Sequence, residues 1–158
     1  IDGIDGLAGG LFAIVFMAYA GIAFAQEQYS LAAFAATVAG ALFAFLWFNI
    51  PPARFYLSET GSMALTCALA VTAFSTDVLG EGVGVSVLPI IALPLTVTVV
   101  TSAIQVVSKR VFKKKVFRIA PIHHHFEAIG WPAYKVTMRY WVITIIASIF
   151  GLAIALLK

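Results

Sequence analysis

The feature that most constrains this sequence is a series of apolar segments separated by short polar stretches. Four of them cover residues 7–25, 31–48, about 85–107 and 140–157, and a shorter one covers 62–74. A membrane-spanning helix needs about 20 mostly apolar residues. The pattern therefore predicts an all-α, polytopic integral membrane protein with about five transmembrane helices. The mean hydropathy of +1.02 and the charged fraction of 11% also indicate a membrane protein rather than a soluble domain.

Individual residues refine these segments. The fourth carries Pro89 and Pro94, and because proline removes a backbone donor, this penultimate helix is predicted to be bent. The third is expected to be short and to begin in a loop at the membrane edge. It holds Cys67, the only cysteine, which excludes a disulfide framework and is expected to be a buried structural thiol. Tyr140 and Trp141 open the fifth segment and are expected at the membrane interface.

The basic residues divide unevenly between the two sides of this arrangement. Nine of the ten lie in the stretches after the second and fourth segments, and only Lys158 lies on the other side. Cytoplasmic loops of membrane proteins are enriched in Lys and Arg. Residues 1–6, 49–61 and 108–139 are therefore predicted to face the cytoplasm.

Two polar groups lie on this predicted cytoplasmic side in the first half of the chain. In "IDGIDG", Asp2 and Asp5 share a face if the segment is helical; they could cap a helix, bind Mg²⁺, accept hydrogen bonds from a sugar or base, or act as a general base. In "WFNIPPARFYLSETGS", Asn49, Tyr56 and Glu59 suit a nucleobase and a metal-bound phosphate. An interfacial loop with an aromatic belt is the alternative for the second group.

The third polar group is the stretch "PIHHHFEAIGW", which holds all three histidines, His123, His124 and His125. Adjacent side chains point in different directions in a helix or strand, so they make a poor site for one metal ion. An expression tag would be longer and terminal. Beside the basic run "KRVFKKKVFR", which alone indicates topology and contact with anionic lipid, the imidazoles are predicted to donate hydrogen bonds to a phosphate-rich ligand. All three groups are expected to meet at one membrane surface.

The stretches "DGIDGLAGG", "FNIPPARFYLSETGS", "QVVSKRVFKKKVFRIAPIHHHFEAIGWP" and "RYW" together resemble the C-terminal half of the phospho-N-acetylmuramoyl-pentapeptide transferases. The triple histidine is the most specific part. This family belongs to the polyprenyl-phosphate N-acetylhexosamine-1-phosphate transferase superfamily and has ten transmembrane helices. The resemblance implies that residues 1–158 form a single membrane domain with the last five helices, and that 108–139 form a cytoplasmic loop carrying the triple histidine.

The resemblance also implies a reaction and a location. The family's Mg²⁺-dependent phosphoglycosyl transferases move phospho-MurNAc-pentapeptide from UDP-MurNAc-pentapeptide to undecaprenyl phosphate, giving lipid I and UMP for peptidoglycan synthesis. The implied setting is the bacterial inner membrane, with a multi-pass chain whose active site faces the cytoplasm. The implied partners are the UDP-linked donor, the lipid acceptor, the bilayer and a second copy in a homodimer, without nucleic acid. The family's Asp-Asp pair would lie outside this chain, so the chain alone is expected to be inactive.

The acidic residues carry over by position. Asp2 and Asp5 match the family's two aspartates, which are tied to the active site and the uridine pocket, and Asp2 is also expected to bind the metal. Glu59 stands where the family has a Mg²⁺-binding aspartate, and Ser58 stands in place of a glycine. A glutamate is still a hard oxygen ligand but is one methylene longer.

The remaining predicted site residues also carry over by position. Asn49 matches an asparagine of the uracil pocket, Tyr56 matches an aromatic that stacks on the base, and Gln105 matches a glutamine near the bend of the penultimate helix. The predicted catalytic residues near the pyrophosphate and the sugar are His123, His124 and His125, together with Asp2 and Glu59.

Two other functions remain open on the sequence. One is transfer of a different N-acetylhexosamine phosphate to a polyprenyl phosphate for another surface glycan, which Glu59 allows and the triple histidine disfavours. The other is a non-catalytic, truncated membrane paralogue that retains the fold.

Overall fold

The computed structural model describes residues 3–80 and 82–157, and this part of the chain folds into helices joined by short connections. The seven helices are α1 (Leu7–Ala25), α2 (Tyr29–Asn49), α3 (Ser58–Val78), α4 (Gly84–Ile91), α5 (Leu93–Val111), α6 (Ile122–Ala128) and α7 (Ala133–Leu156).

Helix α1 lies at the centre of the bundle. Within its apolar segment 78% of the residues are buried, whereas the share is 28% in α2, 22% in α3 and 28% in α7. A helix that is apolar on all sides, as α1 is, has to be surrounded by other helices or by lipid. Here α2, α3, α4 and α7 all pack against it, so the position of α1 determines where its ends, and the polar residues beside them, are placed.

The membrane spans match most of the predicted segments. Helices α1, α2, α3 and α7 are each long and apolar enough to cross a membrane, and α4 with α5 can form a fifth, broken span. Many large apolar side chains on their outward sides are exposed, including Phe43, Phe74 and Phe150. The chain is therefore a multi-pass membrane protein, and the predicted all-α class is confirmed.

The bend in the penultimate span lies at Ala92, between the two prolines. The axes of α4 and α5 differ there by 78°, which confirms the predicted bend. Pro94 stands in the first turn of α5, where its missing donor costs little. The Oγ of Ser148 in α7 donates to the freed Ile91 carbonyl at 3.3 Å. A neighbouring helix thus satisfies the backbone at the break, as a helix broken within a membrane requires.

Helix α3 is longer than predicted, because its polar residues are satisfied within the helix. It runs from Ser58 to Val78, with 21 residues. The hydroxyls of Thr66 and Thr72 donate to backbone carbonyls one turn earlier, at 2.7 and 2.8 Å. The expectation of a short third span was therefore wrong. The expectation for Cys67 was also wrong, since its side chain is exposed on the surface of the described chain.

Helix α7 begins seven residues earlier than the apolar segment indicated, directly after Pro132. Val136 and Tyr140, one turn apart, are both buried and extend the packed face towards the start of the helix. Trp141 is partly buried, and its indole Nε1 donates to the carbonyl of Gly6 at 3.0 Å. Trp141 thus connects α7 to the start of α1 inside the protein.

A substitution at Gly10 tests this contact. A Cβ there would overlap the Trp141 indole, whereas a Cβ at Gly40 of α2 would meet nothing within 4 Å. Gly10→Ala is expected to displace the indole and to destabilise the fold by about 1–3 kcal/mol. Gly40→Ala, the matched control, is expected to be neutral or to stabilise by roughly 0.5–1 kcal/mol through helix propensity. Equal melting temperatures for the two variants in detergent would contradict the proposed contact.

Candidate active site

The segment before α1 is held by the side chain of Asn49. Its Oδ1 accepts a hydrogen bond from the Gly6 backbone N–H at 3.0 Å, and its Nδ2 donates to the Phe55 carbonyl at 2.7 Å. Asn49 is 2% exposed, and Gly6 has a φ of 73° in the left-handed region that favours glycine. The residue predicted to contact uracil thus joins two backbone segments here; its role towards a base stays a prediction.

Asp5 makes the second connection between the same segments. Its Oδ2 accepts a hydrogen bond from the Ala53 N–H at 3.1 Å, and its backbone carbonyl accepts one from Thr137 Oγ1 at 3.1 Å. The segment before α1, the loop after α2 and the start of α7 therefore meet at one end of the bundle. Asp2, predicted to be catalytic and to bind metal, lies outside the described residues.

The three histidines lie on the short helix α6 rather than in an irregular loop. This corrects the expectation that residues 108–139 form one cytoplasmic loop, because the stretch also contains the end of α5 and the start of α7. His124 contacts the segment before α1: a Cβ on Gly3 would lie 2.5 Å from its Nε2. The structure thus brings together one part of each predicted polar group, namely the segment before α1, Asn49 and α6.

Each histidine faces a different environment. His123 is 1% exposed, and its Nδ1 has no hydrogen-bond partner among residues 3–80 and 82–157. His124 Nδ1 lies 2.6 Å from Glu127 Oε2. His125 Nδ1 accepts a hydrogen bond from the Arg118 N–H at 3.3 Å. The predicted divergence of the three rings follows from their adjacent positions on a helix.

Gln105 anchors the basic stretch between α5 and α6. Its Oε1 accepts hydrogen bonds from the N–H groups of Val116 and Phe117, each at 3.0 Å, and its Nε2 donates to the Phe117 carbonyl at 2.9 Å. It is 4% exposed. Gln105 stands near the C-terminal end of α5, 13 residues beyond Ala92, so its predicted place near the bend was wrong. Contact with substrate stays a prediction.

Tyr56 and Glu59 stand apart from this network. Both are exposed, and within the described residues neither makes a side-chain hydrogen bond or a salt bridge. The described residues also contain no group of three or more His, Cys, Asp or Glu side chains arranged to hold a metal ion. The structure therefore brings Asp5, Asn49 and His124 to one end of the bundle through contacts with the segment before α1 and the loop after α2, but does not connect Tyr56 or Glu59 to them.

The sequence analysis did not predict which residues pack beside α6. The Trp131 ring stacks on Phe126 with centroids 4.9 Å apart, and the Arg139 guanidinium lies 4.1 Å from the Trp131 ring centroid. Arg139 is one of the basic residues used to predict the membrane topology, and its packing on Trp131 was not predicted because only its charge was considered. The sequence signal for this contact was the spacing of Trp131 and Arg139 on either side of the start of α7.

Comparison with known proteins relates this sequence to a family. A profile described as Glycosyl transferase family 4 matches residues 1–77. A phospho-N-acetylmuramoyl-pentapeptide-transferase of Rubrobacter xylanophilus is 37% identical over 150 residues, which are 95% of this chain and 44% of the relative. Relatives of the same name from Geobacillus and Heliobacterium modesticaldum are 39% and 37% identical, over 97% and 98% of this chain.

The chain belongs to the phospho-N-acetylmuramoyl-pentapeptide transferase family. It spans under half the length of these relatives, between 44% and 46% of each.

Within the family pattern, the departure at Ser58 has a visible backbone consequence. Ser58 has a φ of 60°, in the left-handed region, at the position where the family motif has glycine. A side chain in this conformation costs about 1–2 kcal/mol, which glycine avoids. Ser58 thus lowers the stability of the fold at the start of α3, directly before Glu59.

Ser58→Gly is accordingly expected to raise the melting temperature of the protein. Thr60→Gly, two residues later in α3, is the matched control and is expected to destabilise by up to about 1 kcal/mol because its backbone is helical. Thermal unfolding in detergent measures both. A decrease of similar size in the two variants would show that Ser58 carries no backbone strain.

His123 gives the fold a dependence on pH. Burial, followed by the charge of the neighbouring His124, lowers the pKa of His123 from its usual 6.5 to about 4. The folded state then binds fewer protons than the unfolded state between these values, so the stability from a neutral His123 is complete above pH 6.5 and is lost as pH falls towards 4.

His123→Gln is expected to reduce this dependence, because glutamine does not titrate. The measurement is the change in melting temperature between pH 7.5 and pH 5 for the wild type and the variant. The wild type should lose more stability than the variant over this interval. Identical losses would assign the acid sensitivity to other groups.

Proposed function

We propose that the complete protein transfers phospho-MurNAc-pentapeptide from UDP-MurNAc-pentapeptide to undecaprenyl phosphate, giving lipid I and UMP. The observation that carries this proposal is the meeting of the Gly3–Gly6 segment, the Asn49 loop and the α6 histidines at one end of α1. This arrangement stands in a chain that is similar over nearly its whole length to relatives named for that transfer.

The chemistry is a phosphoryl transfer. An oxygen of the lipid phosphate attacks the sugar-bearing phosphorus of the donor, the bond from that phosphorus to the bridging oxygen breaks, and the electron pair leaves with UMP. In such reactions, positioning and charge stabilisation supply most of the catalysis. The protein therefore needs donors and cations near the pyrophosphate more than it needs a nucleophile.

Several residues of the chain suit these tasks. His124 presents Nε2 towards the segment that carries Asp5, where it can accept a proton or, as the imidazolium, donate a hydrogen bond to an anionic oxygen. The basic residues between α5 and α6 are exposed near α6, and Gln105 anchors the backbone of that stretch. A basic surface of this kind attracts a UDP-linked donor and a lipid phosphate.

Mg²⁺ is the proposed cofactor, and the donor chemistry of the site fits it. Mg²⁺ prefers oxygen ligands and commonly binds through one or two carboxylates together with substrate phosphates. The exposed carboxylate of Glu59 makes no side-chain hydrogen bond or salt bridge within the described residues, and Asp2 is the second proposed ligand. When bound, the ion would neutralise charge on the pyrophosphate.

The location and the remaining partners belong to the same proposal. We place the multi-pass chain in the bacterial inner membrane with the site on the cytoplasmic side, because the Lys and Arg residues concentrate at that end. Formation of a homodimer stays a prediction from family resemblance.

The test uses the complete protein, purified and supplied with UDP-MurNAc-pentapeptide, undecaprenyl phosphate and Mg²⁺. Release of UMP that requires all three components is expected. Release with UDP-N-acetylglucosamine but not with the muramoyl donor would favour a different surface glycan. No release with either donor would favour the non-catalytic alternative.

Glu59→Gln in the complete protein is expected to lower Mg²⁺-dependent turnover by about 100-fold or more, as for other groups that stabilise transition-state charge. Glu27→Gln is the matched control: this glutamate is also exposed but lies beyond the opposite end of α1. UMP release against Mg²⁺ concentration measures both. Near-normal turnover of Glu59→Gln would show that another group binds the metal.

A further inference from the structure

His124 and Glu127 form a close side-chain pair on α6. His124 Nδ1 lies 2.6 Å from Glu127 Oε2, and the residues are three apart, so they share a face of the helix. Among the described residues this is the only side-chain hydrogen bond of Glu127. Each side chain is 33% exposed, and a polar side-chain pair so accessible to solvent adds little to stability. Its main effect is therefore on the orientation of the imidazole.

The other ring nitrogen faces the segment before α1. A Cβ on Gly3 would lie 2.5 Å from His124 Nε2 and 2.8 Å from Cε1, so only glycine leaves room for this edge of the ring. The His123 ring, with its centroid 4.5 Å from that of His124, also borders the ring, and its Nε2 would lie 3.6 Å from the same Cβ. Rotation of the His124 ring would move Nε2 away from Gly3 and break the contact with Glu127.

We infer that Glu127 is a positioning residue that acts through His124. Its carboxylate accepts a hydrogen bond from Nδ1, which fixes the rotation of the ring and places the proton of the neutral imidazole on Nδ1. Nε2 is then the atom available to substrate beside Gly3. This inference rests on the proposed function for its catalytic meaning, but the ring geometry can be tested without it.

The activity test is a double-mutant cycle in the complete protein. Glu127→Ala is expected to lower kcat/KM for the UDP-linked donor by about 10- to 100-fold, as the loss of a residue that orients a functional histidine typically does. Glu127→Gln should retain most of the activity, because its amide oxygen still accepts from Nδ1. In a His124→Ala background, Glu127→Ala should cause no further loss, since its effect passes through the missing ring.

Thermal unfolding supplies the control for folding. The melting temperature of Glu127→Ala should stay near that of the wild type, because the pair is largely solvent-accessible. Multiplicative losses in the double variant, an unchanged kcat/KM in Glu127→Ala, or a loss in Glu127→Gln as large as in Glu127→Ala would each overturn the inference.

A second readout is independent of turnover. In protein labelled with ¹⁵N-histidine, the resonances that disappear in His124→Ala report the tautomer of that ring. The wild type should carry the neutral proton on Nδ1, and Glu127→Ala should shift the population towards Nε2–H. An Nε2–H tautomer in the wild type would overturn the inference even if no UMP were released. Absence of UMP release by the wild type would instead overturn the proposed function.

Discussion

The structure depends on one buried amide side chain. Asn49, at the end of α2, satisfies the Gly6 N–H at the start of α1 and the Phe55 carbonyl in the following loop. Asn49 and Gly6 are buried, and a buried backbone group without a partner costs about 1–3 kcal/mol. Because α1 is the central helix, the same bond that begins it also sets the position of Asp5 and of the contact between Gly3 and His124.

Hydroxyl groups satisfy the backbone in the same way at the other end of the bundle. Tyr19 donates to the Gly84 carbonyl at 2.6 Å, where a Cβ on Gly84 would overlap the Thr76 hydroxyl. Ser148 donates to the Ile91 carbonyl at the break between α4 and α5. At both positions a polar side chain from another helix thus pairs with an irregular backbone group, as a bilayer requires.

The sequence predicted those features that depend on residues close together along the chain. The apolar segments predicted the membrane spans, and Pro89 and Pro94 predicted the bend. Both signals can be recognised within a single segment of the sequence. Helix α6 could not be predicted in this way, since its seven residues are too few to show a helical period. Cys67 was misjudged because apolar neighbours indicate a membrane-spanning helix but do not show which of its residues pack inside the bundle.

The roles of the amide residues were the hardest to predict. An amide offers a donor and an acceptor together, which suits the edge of a nucleobase and suits a pair of backbone groups equally well. Asn49 and Gln105 were assigned to substrate by family resemblance, and in the structure their polar atoms pair with backbone groups that lie 6 to 43 residues away along the chain. Only the three-dimensional arrangement distinguishes these two uses of the same side chain.

The contacts between the two ends of the chain have a consequence for biosynthesis. Thr137 and Trp141 of α7 hold the backbone of Asp5 and Gly6, across 132 and 135 residues. During translation, the segment before α1 therefore cannot form its contacts with α7 until nearly all of the described chain has been made. The entropic cost of closing so long a loop grows only slowly with its length. The start of α1 thus gains its hydrogen bonds from Thr137 and Trp141 only when α7 packs against it.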